Sequence, residues 1–202
     1  MNTKYHCSSS PFLGTPIKEK ISGSDFFPDF CRYHKDNEDI KIFLLGAKEG
    51  VALKAQEKLN TKLGREIIVG AHSPSFGFEK NEQKCLEIIE KINNSGATVL
   101  AVGVGAPKQE KWIYKYKDKL PNIKIFLAIG ATIDFESGNK PRAPKWVTEM
   151  GLEWLHRLLS EPKRLWKRYL IGGLIFCRLI LKQKLHLESI NSIRILRSFP
   201  DL

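Results

Sequence analysis

Two short stretches combine residue types that could hold a polar, negatively charged ligand. In VGVGAPKQEKW, residues 102–112, two glycines close an apolar run and a proline opens a helical one. Glycine lets a phosphate or a sugar approach the backbone, and the first turn of a helix offers N–H groups that favour an anion. Lys108 and Gln109 would project from that turn. The third glycine of a dinucleotide fingerprint is missing, with Lys108 in its place, so the same spacing also fits a merely tight turn. In GATIDFESGNKPRAPKW, residues 130–146, Asp134 sits beside Ile133 and Phe135 just beyond another apolar run. Its carboxylate could accept hydrogen bonds from ribose or sugar hydroxyls, or it could cap a local turn. The stretch then becomes basic, with Lys140, Arg142 and Lys145 set between prolines.

Other chemistry is weaker. His72 lies in a strand-end loop, where a lone histidine is more often a structural hydrogen-bonder than a catalyst, and DNED at 36–39 reads as a solvated connection. Cys7, Cys31, Cys85 and Cys177 form no CxxC pair, which suits a reducing compartment and argues against zinc. No Ser-His-Asp set, phosphate-binding P-loop or metal cluster can be assembled, so no catalytic residue, metal or cofactor is assigned.

These loops need a scaffold that brings strand ends together, and the periodicity supplies one. Ile40–Leu45, Glu66–Val69, Thr98–Val104 and Ile123–Ile129 read as strands. Between them lie helical patterns: a segment carrying Val51, Leu53, Ala55 and Leu59, then Asn81–Asn93, then Pro107–Leu120 entered through proline. Strands apolar on both faces that alternate with helices predict an α/β fold, a Rossmann-like parallel sheet with helices on both faces. Ligands of such sheets bind beyond the carboxyl ends of the strands, where both opening stretches fall. From Val147 onward the strand signal disappears, and Trp154, Leu155, Leu158, Leu159, Leu165, Trp166 and Leu170 alternate with Arg157, Lys163, Arg164, Lys167 and Arg168. The expected organisation is a Rossmann-like domain over 1–146 and a basic helical appendage over 147–202.

Charge marks the same division. The chain of 202 residues carries 33 Lys plus Arg against 22 Asp plus Glu, a net charge of +11. From Lys140 to the end there are thirteen basic and five acidic residues, so eight of those charges lie in this last part. An anionic partner at the C-terminal end is expected, whether phosphate, lipid headgroup or nucleic acid. Tryptophan and leucine among clustered arginines favour an interfacial helix on lipid over a solvated face. The longest apolar run, YLIGGLIF at 169–176, is far shorter than the roughly 20 residues of a spanning helix. MNTKYHCSSSPF has no apolar core flanked by a cleavage site, so it does not read as a signal peptide.

Four stretches together carry a family resemblance: LGTPIKEKISGSDFFP (13–28), IFLLGAKEGVALKA (42–55), VGVGAPKQEKWI (102–113) and GATIDFESGNKPRAPKWVTEMGLEWLHRLLSEPKRLWKRYL (130–170). In this order they resemble the WecG/TagA/CpsF glycosyltransferases of bacteria. The resemblance implies transfer of an N-acetylmannosamine-type sugar from a UDP-sugar to a polyprenyl-diphosphate-linked acceptor. The products would be teichoic acid, enterobacterial common antigen, or capsular or exopolysaccharide, made by a peripheral protein on the inner face of the plasma membrane. It makes Gly105, Lys108, Gln109, Gly130 and Asp134 candidates for the UDP-sugar pocket, and Lys20, where the family typically has Arg, a diphosphate contact. Lysine keeps that charge but loses the bidentate fork. Arg142, Arg157, Arg164, Lys167 and Arg168 become candidates for holding the acceptor or leaving diphosphate, a cationic role that needs no metal.

One departure qualifies the resemblance. The family carries an Asn-Ala-Asp-Gly-like motif upstream of LGTP whose Asp is the expected general base. By spacing it would fall near Asn2, and MNTKYHCSSS contains no acid. The chain thus resembles the C-terminal part of the family pattern, which implies donor and membrane binding with impaired catalysis. Missing strands would expose apolar surface and unpaired backbone, so poor solubility or self-association, a homo-oligomer being one form of it, is expected. The alternative is a noncatalytic basic protein binding anionic lipid or nucleic acid, although under the first reading nucleic acid is not an expected partner. A nicotinamide-dependent dehydrogenase rests on the glycine turn alone.

Overall fold

The computed structural model describes residues 23–141, 143–144, 147, 150, 152–160, 162–163, 165–166, 172–174 and 176–185. Residues 21–142 form one compact unit, described first, and the residues from 143 onward belong to a second.

In the first unit, strands β1 (Ile42–Gly46), β2 (Ile68–His72), β3 (Val99–Gly103) and β4 (Ile125–Ala128) form one parallel sheet in the order β2-β1-β3-β4. Helices α1 (Gly23–Tyr33), α2 (Val51–Leu63), α3 (Glu82–Asn94), α4 (Lys108–Tyr116) and α5 (Thr132–Glu136) surround it. The alternation of side chains along each strand explains both layers. Ile42, Leu44, Val99 and Ala101 face a core with Phe27, Cys31, Ala55, Leu59 and Ile133, contributed by α1, α2 and α5. Phe43, Leu45, Leu100 and Val102 face the opposite core with Ile88 and Ile92 of α3 and Trp112 and Tyr116 of α4. Each Val, Leu, Ile or Phe among them contributes roughly 1.5–3 kcal/mol by leaving water, so the doubly apolar strands are what commits the sheet to helices on both faces.

Local signals end the elements where they should. Gly64 sits in the left-handed conformation after α2, at φ 66°, and its N–H bonds back to Thr61. Asn81 caps α3 by accepting the N–H of Lys84 at 3.1 Å. At the β2 edge of the sheet, the side chain of Asn60 of α2 bonds the backbone of Ile68. It donates to the carbonyl of Ile68 at 2.9 Å and accepts the Ile68 N–H at 3.0 Å, and Gln56 donates to the same carbonyl at 2.9 Å.

Several details depart from the sequence reading. β2 lies two residues further along than Glu66–Val69, because Asn60 and Gln56 fix its start at Ile68. Leu53, read with the buried stripe of α2, is exposed, whereas Val51, Ala52, Ala55 and Leu59 form the buried face. α1, with Pro28 in its interior, is not among the helices read from the sequence. Asp134 lies within the short helix α5 rather than in an open loop.

In the second unit, α6 (Glu153–Ser160) begins where the N–H groups of Leu155 and His156 bond to the carbonyl of Leu152. Residues 162–163, 165–166, 172–174 and 176–185 are also helical. Leu174, Phe176, Leu179, Leu181 and Leu185 are exposed, as are Arg178 and Lys182. No helix among the described residues is long and apolar enough to cross a membrane.

Candidate functional site

The strand order changes direction at β1: β2 lies on one side of it and β3 on the other. The carboxyl ends of β1 and β3 at that switch point are the usual ligand position in open α/β sheets. Backbone there is packed against backbone. A side chain on Gly46 would meet the Gly103 carbonyl at 2.6 Å, and one on Gly103 would meet the Gly130 oxygen at 2.6 Å and Ile133 Cδ1 at 2.8 Å. Three strand-end turns therefore abut. Ala47, directly after β1, is held at φ 62° with its N–H 3.4 Å from the Gly103 oxygen, a left-handed state that costs a non-glycine residue roughly 1–2 kcal/mol.

Two other glycines at this rim behave differently. Gly105 has φ 90° and Gly130 has φ 56°, and for both the space a side chain would occupy is empty. Gly103 and Gly46 thus serve close packing, while Gly105 and Gly130 leave room above the sheet. The structure brings the β3 and β4 turns that carry these two candidates side by side through the Gly103–Gly130 contact.

Gln109 does not project as the sequence suggested. It is 5% exposed, its Oε1 accepts the Gly105 N–H at 3.2 Å, and its Nε2 donates to Glu110 at 2.9 Å. The Gly105 carbonyl in turn accepts the N–H groups of Lys108 and Gln109, at 3.0 and 3.1 Å. Much of the expected free N–H array at the start of α4 is therefore spent on shaping the turn. Gln109 fixes the loop, and the Ala106–Pro107 peptide within it is cis.

Lys108 does reach outward, to a partner that local sequence gave no means of seeing. Its Nζ lies 2.9 Å from Glu79 Oε1 and 4.6 Å from the ring centroid of Phe76, which is fully exposed. The hydrogen bond from Lys108 holds the Glu79 carboxyl below the usual carboxylate range. Phe76 and Glu79 come from the loop after β2, and Phe78 of the same loop packs on Trp112 of α4, ring centroids 6.3 Å apart. The only hint in the sequence was an apolar pair, Phe76 and Phe78, in a loop otherwise rich in Ser, Pro and Gly.

Asp134 is largely enclosed, and its Oδ2 lies 3.9 Å from Lys140 Nζ. Its backbone carbonyl accepts the N–H groups of Asn139 and Lys140 and the hydroxyl of Ser137. The turn-shaping role thus falls to the backbone, and the carboxylate keeps lone pairs beyond its loose ion pair. His72 at the end of β2 is half-buried, and burial, then the Lys91 charge, lowers its pKa from the usual 6.5. Cys31 is fully buried, and its thiol is pushed up to about 12 by burial and by the Glu136 carboxylate, which removes it as a nucleophile. Among the described residues no group of three His, Cys, Asp or Glu could hold a metal ion. Of the cationic candidates, Lys20, Arg142, Arg164, Lys167 and Arg168 lie outside the described residues, and Arg157 is on α6.

The turns after β3 and β4 thus meet through glycine, with Lys108 at the start of the helix after one and Asp134 in the short helix after the other. Residues 8–190 match the sequence model of the Glycosyl transferase WecG/TagA/CpsF family, so the match spans the sheet, the strand-end turns and α6 together. With most of its length inside that match, the chain belongs to the WecG/TagA/CpsF family of glycosyltransferases.

Proposed function

We propose that the chain moves an N-acetylmannosamine-type sugar from a UDP-sugar to a polyprenyl-diphosphate-linked acceptor, for teichoic acid or another cell-surface polysaccharide, on the inner face of the bacterial plasma membrane. Family membership supports a nucleotide-sugar donor and an acceptor. The observation that carries the site assignment is the pair Gly105 and Gly130, left-handed and open above neighbouring strand ends.

In this reading the donor lies along the carboxyl rim of the sheet. Lys108 contacts the diphosphate, and Asp134 accepts hydrogen bonds from ribose or sugar hydroxyls. Gln109 acts as a positioning residue for the Gly105 turn. In the transfer, the bond from the sugar's anomeric carbon to the UDP oxygen breaks and a bond to the acceptor hydroxyl oxygen forms; UDP leaves with the electron pair. The acceptor proton passes to a base that is not assigned to any residue. Lys20, Arg142, Arg157, Arg164, Lys167 and Arg168 hold the acceptor or leaving diphosphate, offsetting charge without a metal.

The test is release of UDP from UDP-N-acetylmannosamine in the presence of a lipid-diphosphate-linked N-acetylglucosamine acceptor, together with direct UDP binding. Asp134→Asn and Lys108→Ala are expected to weaken UDP binding about tenfold each, the scale of a hydrogen bond to a charged group. A chain that neither binds UDP nor releases it from the donor would overturn the reading.

A further inference from the structure

We propose that a second pocket, at the carboxyl end of β2, binds a phosphoryl group through Lys84, Lys91, Ser73 and Ser75. The pocket is a cavity of about 200 Å³ whose walls also include His72, Pro74, Phe78, Glu87 and Ile88. That volume is below the usual 300–1,000 Å³ of sites for drug-sized ligands and suits a phosphoryl group or a small phosphomonoester.

The charges in it are unbalanced. Lys84, Glu87 and Lys91 follow one another at single-turn spacing on α3, so one carboxylate stands between two ammonium groups. Among the described residues neither lysine is in an ion pair, Glu87 included. Lys84 instead donates to Ser75 Oγ at 3.1 Å, and the Ala52 N–H donates to Ser73 Oγ at 3.4 Å. Both serine oxygens are thus used as acceptors, which leaves their O–H protons to be donated to an anion. Lys84 and Lys91 are exposed on α3 and line the cavity with Ser73 and Ser75, a donor set that matches the acceptor-rich surface of a phosphoryl group.

His72 reports on the same field. It is half-buried in the pocket wall, and burial, followed by the nearby Lys91 charge, holds its pKa below the usual 6.5. The titratable groups lining the pocket with it are Lys84, Glu87 and Lys91. A bound anion would offset the lysine charges and raise the His72 pKa.

The pocket sits at the edge strand, and none of Gly105, Lys108, Gln109, Gly130 and Asp134 lines it. The proposal therefore stands whether or not the rim binds a UDP-sugar.

The experiment is an NMR titration of the full chain with inorganic phosphate, following the His72 ring and the amides of residues 73–75 and 84–91. Saturable shifts confined to these residues and a rise in the His72 pKa are expected. Lys84→Ala and Lys91→Ala are each expected to weaken phosphate about tenfold, and the double variant to abolish saturation. Vesicles of phosphatidylcholine with and without phosphatidic acid identify the source. If the double variant floats less with phosphatidic acid, the phosphoryl group is a headgroup; if it floats unchanged, the group is a free anion. Linear shifts, or the same saturation in the double variant, would sink the proposal. So would loss of UDP binding by the double variant, because the pocket would then be part of the donor site.

Discussion

Glycines of one sequence signature separate into two physical kinds. Gly103 is walled in by the Gly130 oxygen at 2.6 Å and by Ile133, and the oxygen is backbone that cannot rotate away. Gly103→Ala is therefore expected to destabilise the fold by about 3 kcal/mol, the upper range for overpacking, measured by urea denaturation. Gly105→Ala meets empty space and pays only the left-handed backbone cost of about 1–2 kcal/mol, yet its methyl would occupy room assigned to the donor. Equal destabilisation by the two substitutions would remove the distinction. In the sequence both were simply glycines at a strand end, because whether a Cβ meets backbone or solvent is decided by a neighbouring turn. The same limit hid Gln109, whose inward fold depends on the Gly105 N–H, and Glu79, which reaches Lys108 from a loop far back in the chain. His72 gives a pH prediction at this scale. Its folded pKa lies below the usual 6.5, so between the two values the unfolded chain holds more protons. Stability should fall as pH drops below about 6.5 through the folded pKa. The His72 ring signal should titrate below its usual value, and Lys91→Ala should move it partly back up; an unchanged midpoint would show that the Lys91 charge does not act there.

The elements were legible because their cause is local. Strands apolar on both faces imply helices on both sides, and the four strands appear as a parallel sheet. Their boundaries were not local, as β2 shows. The strand begins at Ile68 because Asn60 and Gln56 of the preceding helix satisfy the Ile68 backbone. Asn60→Ala would leave the N–H of a residue only 1% exposed without its partner, while Gln56 still serves the carbonyl. A loss of about 1–3 kcal/mol is expected, the cost of one buried unsatisfied donor, read as a lower urea midpoint with unchanged slope. Gln56→Ala should cost less, since Asn60 still donates to that carbonyl; the opposite ranking would mean that Asn60 does not close this edge. The other edge differs: β4 has Ile125, Phe126 and Leu127 half-buried and Ala128 exposed.

At the scale of the whole molecule, eight of eleven net positive charges lie from Lys140 onward, and exposed leucines share that region. The sequence showed the mixture of Leu and Lys/Arg but not whether the leucines are covered. Leu174, Phe176, Leu179, Leu181 and Leu185 all remain exposed beside Arg178 and Lys182. Exposed apolar side chains among basic ones suit an interfacial helix, where charge attracts anionic headgroups and the apolar groups enter the acyl boundary. The two contributions respond to different changes, so they can be told apart. The intact chain is expected to float with phosphatidylglycerol vesicles and not with phosphatidylcholine alone. Raising the salt should weaken this without abolishing it, because screening acts on the charges and leaves apolar insertion in place. Phe176→Glu combined with Leu179→Glu should remove the salt-resistant part. If the double substitution has no effect beyond its change in charge, as judged against a variant in which two basic residues of the same helix are neutralised, the leucines do not enter the bilayer and attraction alone holds the chain there.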